Sequence, residues 1–219
     1  MASKSQVDRL GDRLRTGQGT DDDLRELDAY RQLFVASYET VITAIRRELE
    51  LVPTGRPAKS RQAIVDKLRR ESIRLTQIQD IAGCRIVVPN LKSQTLTVVR
   101  LTQLFPNAEF IDRREVPSHG YRAVHVVVPV EGHAVEVQVR TLEQHWWAEL
   151  SEKLSDVFGV GIKYGAGDPV AREKLRIASA ALETLEREGA HDSDIAEANT
   201  QLGGVVIWAV QYVPLKLGL

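Results

Sequence analysis

Apolar residues recur first at helical spacing, then in alternation, then at helical spacing again. After a short first helix, the segment from Thr20 to Val52 opens on a cap-forming threonine and an acidic first turn, both favoured at a helix N-terminus. Leu24, Leu27, Leu33, Phe34, Val41, Ile42 and Ile45 follow as one apolar stripe, which predicts a single long helix stopped by Pro53 and Gly55. A third helix is predicted from about Ser60 to Ser72. The run "GCRIVVP" then reads as a short buried strand ended by Pro89, and Leu91 to Phe105 as a helix. "AEFIDRR", "YRAVHVVVPV" and "HAVEVQVR" read as strands, with "VEGH" a hairpin turn between the last two. From Leu142 onward the period is helical again, through "LEQHWWAELSEKLSDVF" and "DPVAREKLRIASAALETLERE". Helices set against a mixed β-sheet of about five strands, an α+β (α/β) fold, are the expectation.

Within that frame "VEVQVRT" (135–141) alternates valines with Glu136, Gln138 and Arg140. Strand side chains alternate between faces, so the three polar groups share one face. A half-solvated antiparallel strand reads the same way, and so does a row of ligand-facing groups. Composition narrows the classes without choosing among them. The chain has 219 residues, 43% of them hydrophobic and 27% charged, a globular profile. Its 29 basic and 30 acidic residues nearly cancel, so net charge alone points to no polyanionic partner. A single cysteine, Cys84, excludes an intrachain disulfide and a cysteine-rich zinc site. The opening residues carry no leader pattern, and the apolar stretch from Gly203 to Val213 is shorter than a bilayer span; a soluble cytoplasmic protein without membrane contact is expected.

Local charge changes the picture. Arg56, Lys59, Arg61, Lys67, Arg69 and Arg70 fall within residues 56–70 beside one acid, Asp66, an excess that suits a polyphosphate or nucleic acid as well as a solvated helix face. Asp80 stands just ahead of a buried strand and Arg85 within it. Such an aspartate is ordinarily a turn former. Paired with Glu136, it could instead offer hard oxygen ligands to Mg²⁺, which takes one or two carboxylates and completes its shell with water and phosphate. Tyr121, in "SHGYRAVH", is either packing or a platform for a base. The histidines lack HExxH spacing, and no GxxxxGK[ST] loop occurs.

The ordered segments "GRPAKSRQAIVDKLRR", "QDIAGCRIVV", "HGYRAVHVVV", "VEVQVRTLEQHWWAELSEKL" and "IKYG" resemble the synthetase domain of the RelA/SpoT family over about Leu24 to Gly165. The length is similar to the small single-domain synthetases, which lack a hydrolase domain. The resemblance implies a nucleotidyltransferase-like synthetase fold. The pyrophosphokinase domain would span 21–165, after a short helix at 1–20; beyond the match, a helical extension at 166–202 and an apolar tail at 203–219 are expected, the tail packed on its own domain or on a second subunit. The resemblance further implies transfer of the β,γ-pyrophosphate of ATP to a ribose 3′-hydroxyl of GDP or GTP, with Mg²⁺ as cofactor. Asp80 and Glu136 would hold the metal, and Glu136 would also draw the hydroxyl proton. Arg56 and Arg85 would sandwich the adenine. Lys59, Lys67, Arg69 and Arg70 would complete the ATP site, with Tyr121, His125, Gln138 and Arg140 at the acceptor. The chain departs from the family's R-x-K-x-x-x-S-I pattern at Ala63, and Pro117, Ser118 and His119 stand where a lysine is common. "DRREVPSHGYRAVH" and "WAELSEKLSDVFGVGIKYG" are similar to toxic members of the family. That branch implies the same chemistry on the 3′ end of tRNA or on adenosine nucleotides, with an antitoxin as partner. A catalytically silent RNA-binding module is the remaining alternative.

Overall fold

The computed structural model describes residues 3–217, and side chains as far as Val213. Eight α-helices and five strands alternate in this region: α1 (Lys4–Thr16), α2 (Asp21–Gln32), α3 (Phe34–Ala44), β1 (Thr54–Arg56), α4 (Arg61–Glu71), β2 (Ala82–Val88), α5 (Leu91–Leu104), β3 (Glu109–Asp112), β4 (Val124–Val130), β5 (His133–Thr141), α6 (Leu142–Phe158), α7 (Pro169–Glu186) and α8 (Asp192–Leu217). The strands form one mixed sheet in the order β1-β2-β5-β4-β3. The expected α+β architecture is therefore present.

Local chemistry explains most boundaries. Ser3 and Gln6, Thr20 and Asp23, and Thr141 and Gln144 each form a reciprocal capping box at a helix start. Asp168 caps α7, with Pro169 in the first turn, where its missing N–H costs nothing. Glu131 and Gly132 both adopt positive φ (50° and 83°), as a two-residue hairpin between β4 and β5 requires.

Four readings change. The long helix expected over 20–52 is segmented: at Leu33 the backbone N–H tightens onto the Tyr30 carbonyl, and a π-helical turn over Ile45–Leu49 ends the run. Leu27, Phe34, Val41, Ile42 and Ile45 of the stripe are still buried, because each segment keeps right-handed helical geometry, whereas Leu33, at the break, is exposed. β1 escaped notice because its three residues are exposed and carry no apolar alternation. The strand expected from Tyr121 begins at Val124, since Ser118–Tyr121 close a separate tight turn. The apolar tail from Gly203 is continuous with the helix before it, and α8 runs through that boundary; Gly218 and Leu219 lie outside the described residues.

The chain divides into two compact units. The first, residues 1–86, 97–111 and 125–139, contains most of the sheet. Leu27, Ile42, Ile45, Ile64, Leu68, Ile81, Val126, Val135 and Val137 are buried in it. Burial also pushes the Cys84 thiol up to about 12, so it stays protonated. The second unit, residues 87–96, 112–124 and 140–219, has its own core of Trp147, Leu154, Ile162, Leu175, Val205 and Trp208. Phe158 and Trp208 stack there at 5.5 Å, so one face of the tail packs within its own unit, while Ile207, Val210 and Tyr212 are exposed. Among the described residues, no helix is long and apolar enough to cross a membrane.

Candidate active site

In the first unit the polar positions of three adjacent strands share one face of the sheet. Arg56 lies opposite Gly83, and Thr54 opposite Arg85, in the antiparallel β1–β2 ladder. Arg56 and Arg85 are thus diagonal neighbours on one face, within reach of each other's long side chains. The backbones approach closely here: a Cβ on Gly55 would come within 2.4 Å of the Gly83 carbonyl oxygen. A Cβ on Gly83 would stand 3.7 Å from that of Glu136, which puts the Glu136 row of β5 on the same face. His125 of β4 joins it, with Nδ1 2.8 Å from Glu136 Oε1, and Gln138 Nε2 donates to Glu136 Oε2 at 2.7 Å. The opposite face is apolar, with Cys84, Ile86, Val135, Val137 and Val139 buried.

Asp80, immediately before β2, receives two ammonium groups: Lys59 Nζ on Oδ2 at 2.5 Å and Lys67 Nζ on Oδ1 at 2.9 Å. The backbone of Lys59 is fixed by its N–H on the Ile81 carbonyl (2.7 Å) and by Arg31 Nε on its own carbonyl (2.6 Å). Lys67 is brought in by α4, which Ser60 caps. Burial favours the neutral acid at Asp80, but Lys59 and Lys67 outweigh it and hold the carboxyl at about 2. Burial likewise works against the Lys67 ammonium, and Asp80 more than offsets it, leaving Lys67 raised. Glu136 is also lowered: burial and Asp80 push it up, while the hydrogen bonds and charge of His125, with Gln138, pull it further down. Both carboxylates are therefore ionised at neutral pH and feel each other's charge. Among the described residues, no three His, Cys, Asp or Glu side chains gather as a metal-holding group.

The remaining cations of α4 are engaged elsewhere. Arg69 Nε donates to the Arg15 carbonyl at 3.3 Å, and Arg70 Nη2 meets Glu71 at 2.8 Å. Arg61 is ion-paired with Asp28, whose carboxyl is held at about 2 chiefly by that guanidinium. The structure gathers Lys59, Lys67 and Asp80, and separately Glu136, Gln138 and His125; it does not turn Arg61 or Arg69 toward Asp80.

Tyr121 and Arg140 belong to the second unit. His119 and Gly120 both take positive φ (53° and 89°), closing a two-residue turn in which Ser118 and Tyr121 exchange backbone hydrogen bonds of 3.2 and 2.9 Å. Arg140 is buried; its Nη2 donates to the Tyr121 hydroxyl at 3.1 Å, and its guanidinium lies 5.2 Å from the ring centroid. Gly165, the last residue of "IKYG", has a physical reason: a Cβ there would come within 2.6 Å of the His119 ring.

Several neighbours of this loop escaped sequence reading. Trp147 Nε1 donates to the Leu175 carbonyl at 2.9 Å, and Ser179 Oγ donates to the Gly120 carbonyl at 2.7 Å. Arg122 is ion-paired with Glu183. Glu186 accepts from the Thr141 hydroxyl and, at 3.0 Å, from Gln144 Nε2. The T-x-x-Q pattern of a capping box could have revealed Gln144; no local signal marks Ser179 or Glu186.

The family described as a region found in RelA / SpoT proteins matches residues 55–161. An uncharacterized protein of Mycobacterium tuberculosis is 40% identical over 119 residues, covering 52% of this chain and 43% of that protein. The chain thus spans less than half of that relative's length. GTP pyrophosphokinase YjbM of Bacillus subtilis is 36% identical over 154 residues, 62% of this chain and 68% of that protein. The crystal structure of small alarmone synthetase 1 from Bacillus subtilis superposes with a TM-score of 0.56 at 26% identity, covering 84% of this chain and 100% of that one. With motifs, fold and a relative matched over more than two thirds of its length in agreement, the chain belongs to the RelA/SpoT family.

Proposed function

We propose that the chain is an ATP-dependent pyrophosphokinase that transfers the β,γ-pyrophosphate of ATP to the ribose 3′-hydroxyl of GDP or GTP. The observation that carries this reading is the polar sheet face of the first unit, where Arg56, Arg85 and Glu136 share one side while Asp80 gathers Lys59 and Lys67. Two guanidinium groups set diagonally suit the two faces of a purine, and compact ammonium groups suit phosphates. In this reading Arg56 and Arg85 hold the adenine, while Lys59 and Lys67 exchange part of their contact with Asp80 for the phosphate chain.

Asp80 and Glu136 are the residues that would hold Mg²⁺. Two ionised carboxylates without a third fit an ion that keeps most of its shell for water and phosphate. When bound, the ion neutralises phosphate charge. The 3′-oxygen forms its bond to the β-phosphorus as the bond to the bridging α,β-oxygen breaks, so AMP leaves. Glu136, held by His125 and Gln138, is the group placed to take the hydroxyl proton. Phosphoryl-type transfer asks the protein mainly for alignment and charge stabilisation, which these groups supply. Tyr121, with Arg140 at its hydroxyl, is the stacking platform for the acceptor base. The guanosine acceptor is favoured by the relative named a GTP pyrophosphokinase. Incubation with γ-labelled ATP and, separately, GDP, GTP, AMP, ADP, ATP and deacylated tRNA tests it: label is expected in GDP and GTP. Label confined to tRNA or adenosine nucleotides would replace the acceptor, and label nowhere would refute the activity.

A further inference from the structure

Helix α7 lies beyond the family-matched residues 55–161, yet its polar groups converge on the residues that adjoin Tyr121 and Arg140. One face of the helix presents Leu175, Ser179, Glu183 and Glu186, at spacings that keep them in line. The Leu175 carbonyl accepts from Trp147 Nε1. Ser179 Oγ holds the Gly120 carbonyl at 2.7 Å, directly before Tyr121. The Ser179 carbonyl and the Glu183 carboxylate both receive Arg122, directly after it. Glu186 takes the Thr141 hydroxyl, directly after Arg140, and the amide of Gln144, whose backbone N–H Thr141 caps. The approach is tight as well as polar, since a Cβ on Gly120 would stand 3.0 Å from that of Ser179 and 3.1 Å from the Trp147 ring.

We infer that α7 positions the acceptor-base site, with Ser179 and Glu186 as its positioning residues. Ser179 fixes the turn that carries Tyr121, and Glu186 fixes the end of β5 that carries Arg140. Neither need touch a nucleotide. The turn has two residues at positive φ, one of them the non-glycine His119, a conformation that persists where its surroundings impose it. The hydrogen bond from Ser179 and the packing of Trp147 are such surroundings. Base recognition in this chain is thus set by a segment outside the family's common region, whereas the ATP-handling groups lie wholly in the first unit. This inference rests on the reading that Tyr121 and Arg140 hold the acceptor.

The test uses the full chain as Ser179→Ala, Glu186→Ala and Glu186→Gln variants. Initial rates with γ-labelled ATP are measured while ATP and GDP are varied in turn, and amide hydrogen exchange is followed in the wild type and each variant. Losing the neutral hydrogen bond of Ser179 is expected to raise KM for GDP about three- to tenfold, and Glu186→Ala, which gives up the bonds to both Thr141 and Gln144, by at least as much. KM for ATP should stay within about twofold. Glu186→Gln, which keeps an acceptor oxygen for Thr141, should recover most of the loss. Exchange should quicken at Ser118–Tyr121 in Ser179→Ala and remain unchanged at residues 82–86. Equal increases in both KM values would mark a merely structural role and overturn the inference, as would unaltered exchange in the turn. Failure of the wild type to label GDP or GTP would instead refute the nucleotide reading beneath it, and the two failures are distinct because exchange does not depend on turnover.

Discussion

Around Asp80, in the first unit, two ammonium groups stand on one carboxylate, and a second carboxylate is held by an imidazole and an amide. Around Tyr121, in the second, the partners are a guanidinium against a ring, and the turn beside it rests on a serine hydroxyl and a tryptophan. The first arrangement is dense in charge, as the phosphate and metal binding proposed for it requires. The second relies on turn geometry and packing, which suit a flat neutral base. On the proposed function, chemistry and recognition depend on different forces, and substitutions should separate them.

The largest effect belongs to the carboxylates. Asp80→Asn and Glu136→Gln are near-isosteric and remove a charge that the proposed Mg²⁺ site needs. Each is expected to lower transfer by at least about a thousandfold, roughly 4 kcal/mol of transition-state stabilisation. Far-ultraviolet circular dichroism should be unchanged below the melting transition. Wild-type turnover in either variant at saturating Mg²⁺ would break the assignment.

Next in size is a pH effect on stability. The folded carboxyl of Asp80 sits at about 2, below its ordinary value of 3.8. Its stabilising contribution is therefore complete above about pH 4 and is lost as the pH falls toward 2. Linkage puts it on the order of 2 kcal/mol. Urea melts of the wild type should weaken across that window, and Asp80→Asn, already lacking the contribution, should show a shallower decline. Identical pH slopes would mean that Lys59 and Lys67 do not hold Asp80 in solution. The sign also bears on activity: loss of rate between pH 5 and 7 would have to come from a group other than Asp80.

Arg56→Ala and Arg85→Ala come third. A desolvated cation–π contact contributes about 1–2 kcal/mol, so KM for ATP should rise roughly 5- to 30-fold. KM for GDP should move little. The reverse selectivity would exchange the two nucleotide sites.

What was legible follows the same division. Asp80, Arg85, Glu136 and the cations of α4 stand in short charged or alternating motifs, which drew attention to them but left a purely structural reading open; the family resemblance supplied the roles proposed for them. Arg61 shows the limit within that region: sequence counts its charge, but only the fold assigns it to Asp28. Strand β1 was hidden because three exposed residues make no pattern, although it brings Arg56 into line with Arg85. In the second unit, Ser179 and Gly120 are separated by 59 positions, and Glu186 and Thr141 by 45. Neither pairing leaves a local periodicity, and an apolar face of α7 conceals its polar stripe.

The smallest expected effect is also the sharpest test of acceptor size. A polynucleotide acceptor brings many phosphates, and releasing their counterions makes its binding fall steeply with salt. GDP brings two phosphates and should show a shallow dependence. Arg74 is the better probe than Arg61, whose reversal would also break the ion pair with Asp28. Arg74 has a side chain 66% exposed, with only a 3.9 Å approach to Asp8. For a GDP or GTP acceptor, Arg74→Glu should leave kcat/KM within about twofold, because Arg74 is not among the groups assigned to either nucleotide, and the salt slope should be unaltered. A steep slope that flattens in Arg74→Glu would place an RNA on this face and move the acceptor from a nucleotide to a tRNA end. Tyr121→Ala could not make that distinction, since every base has a face on which a tyrosine can stack.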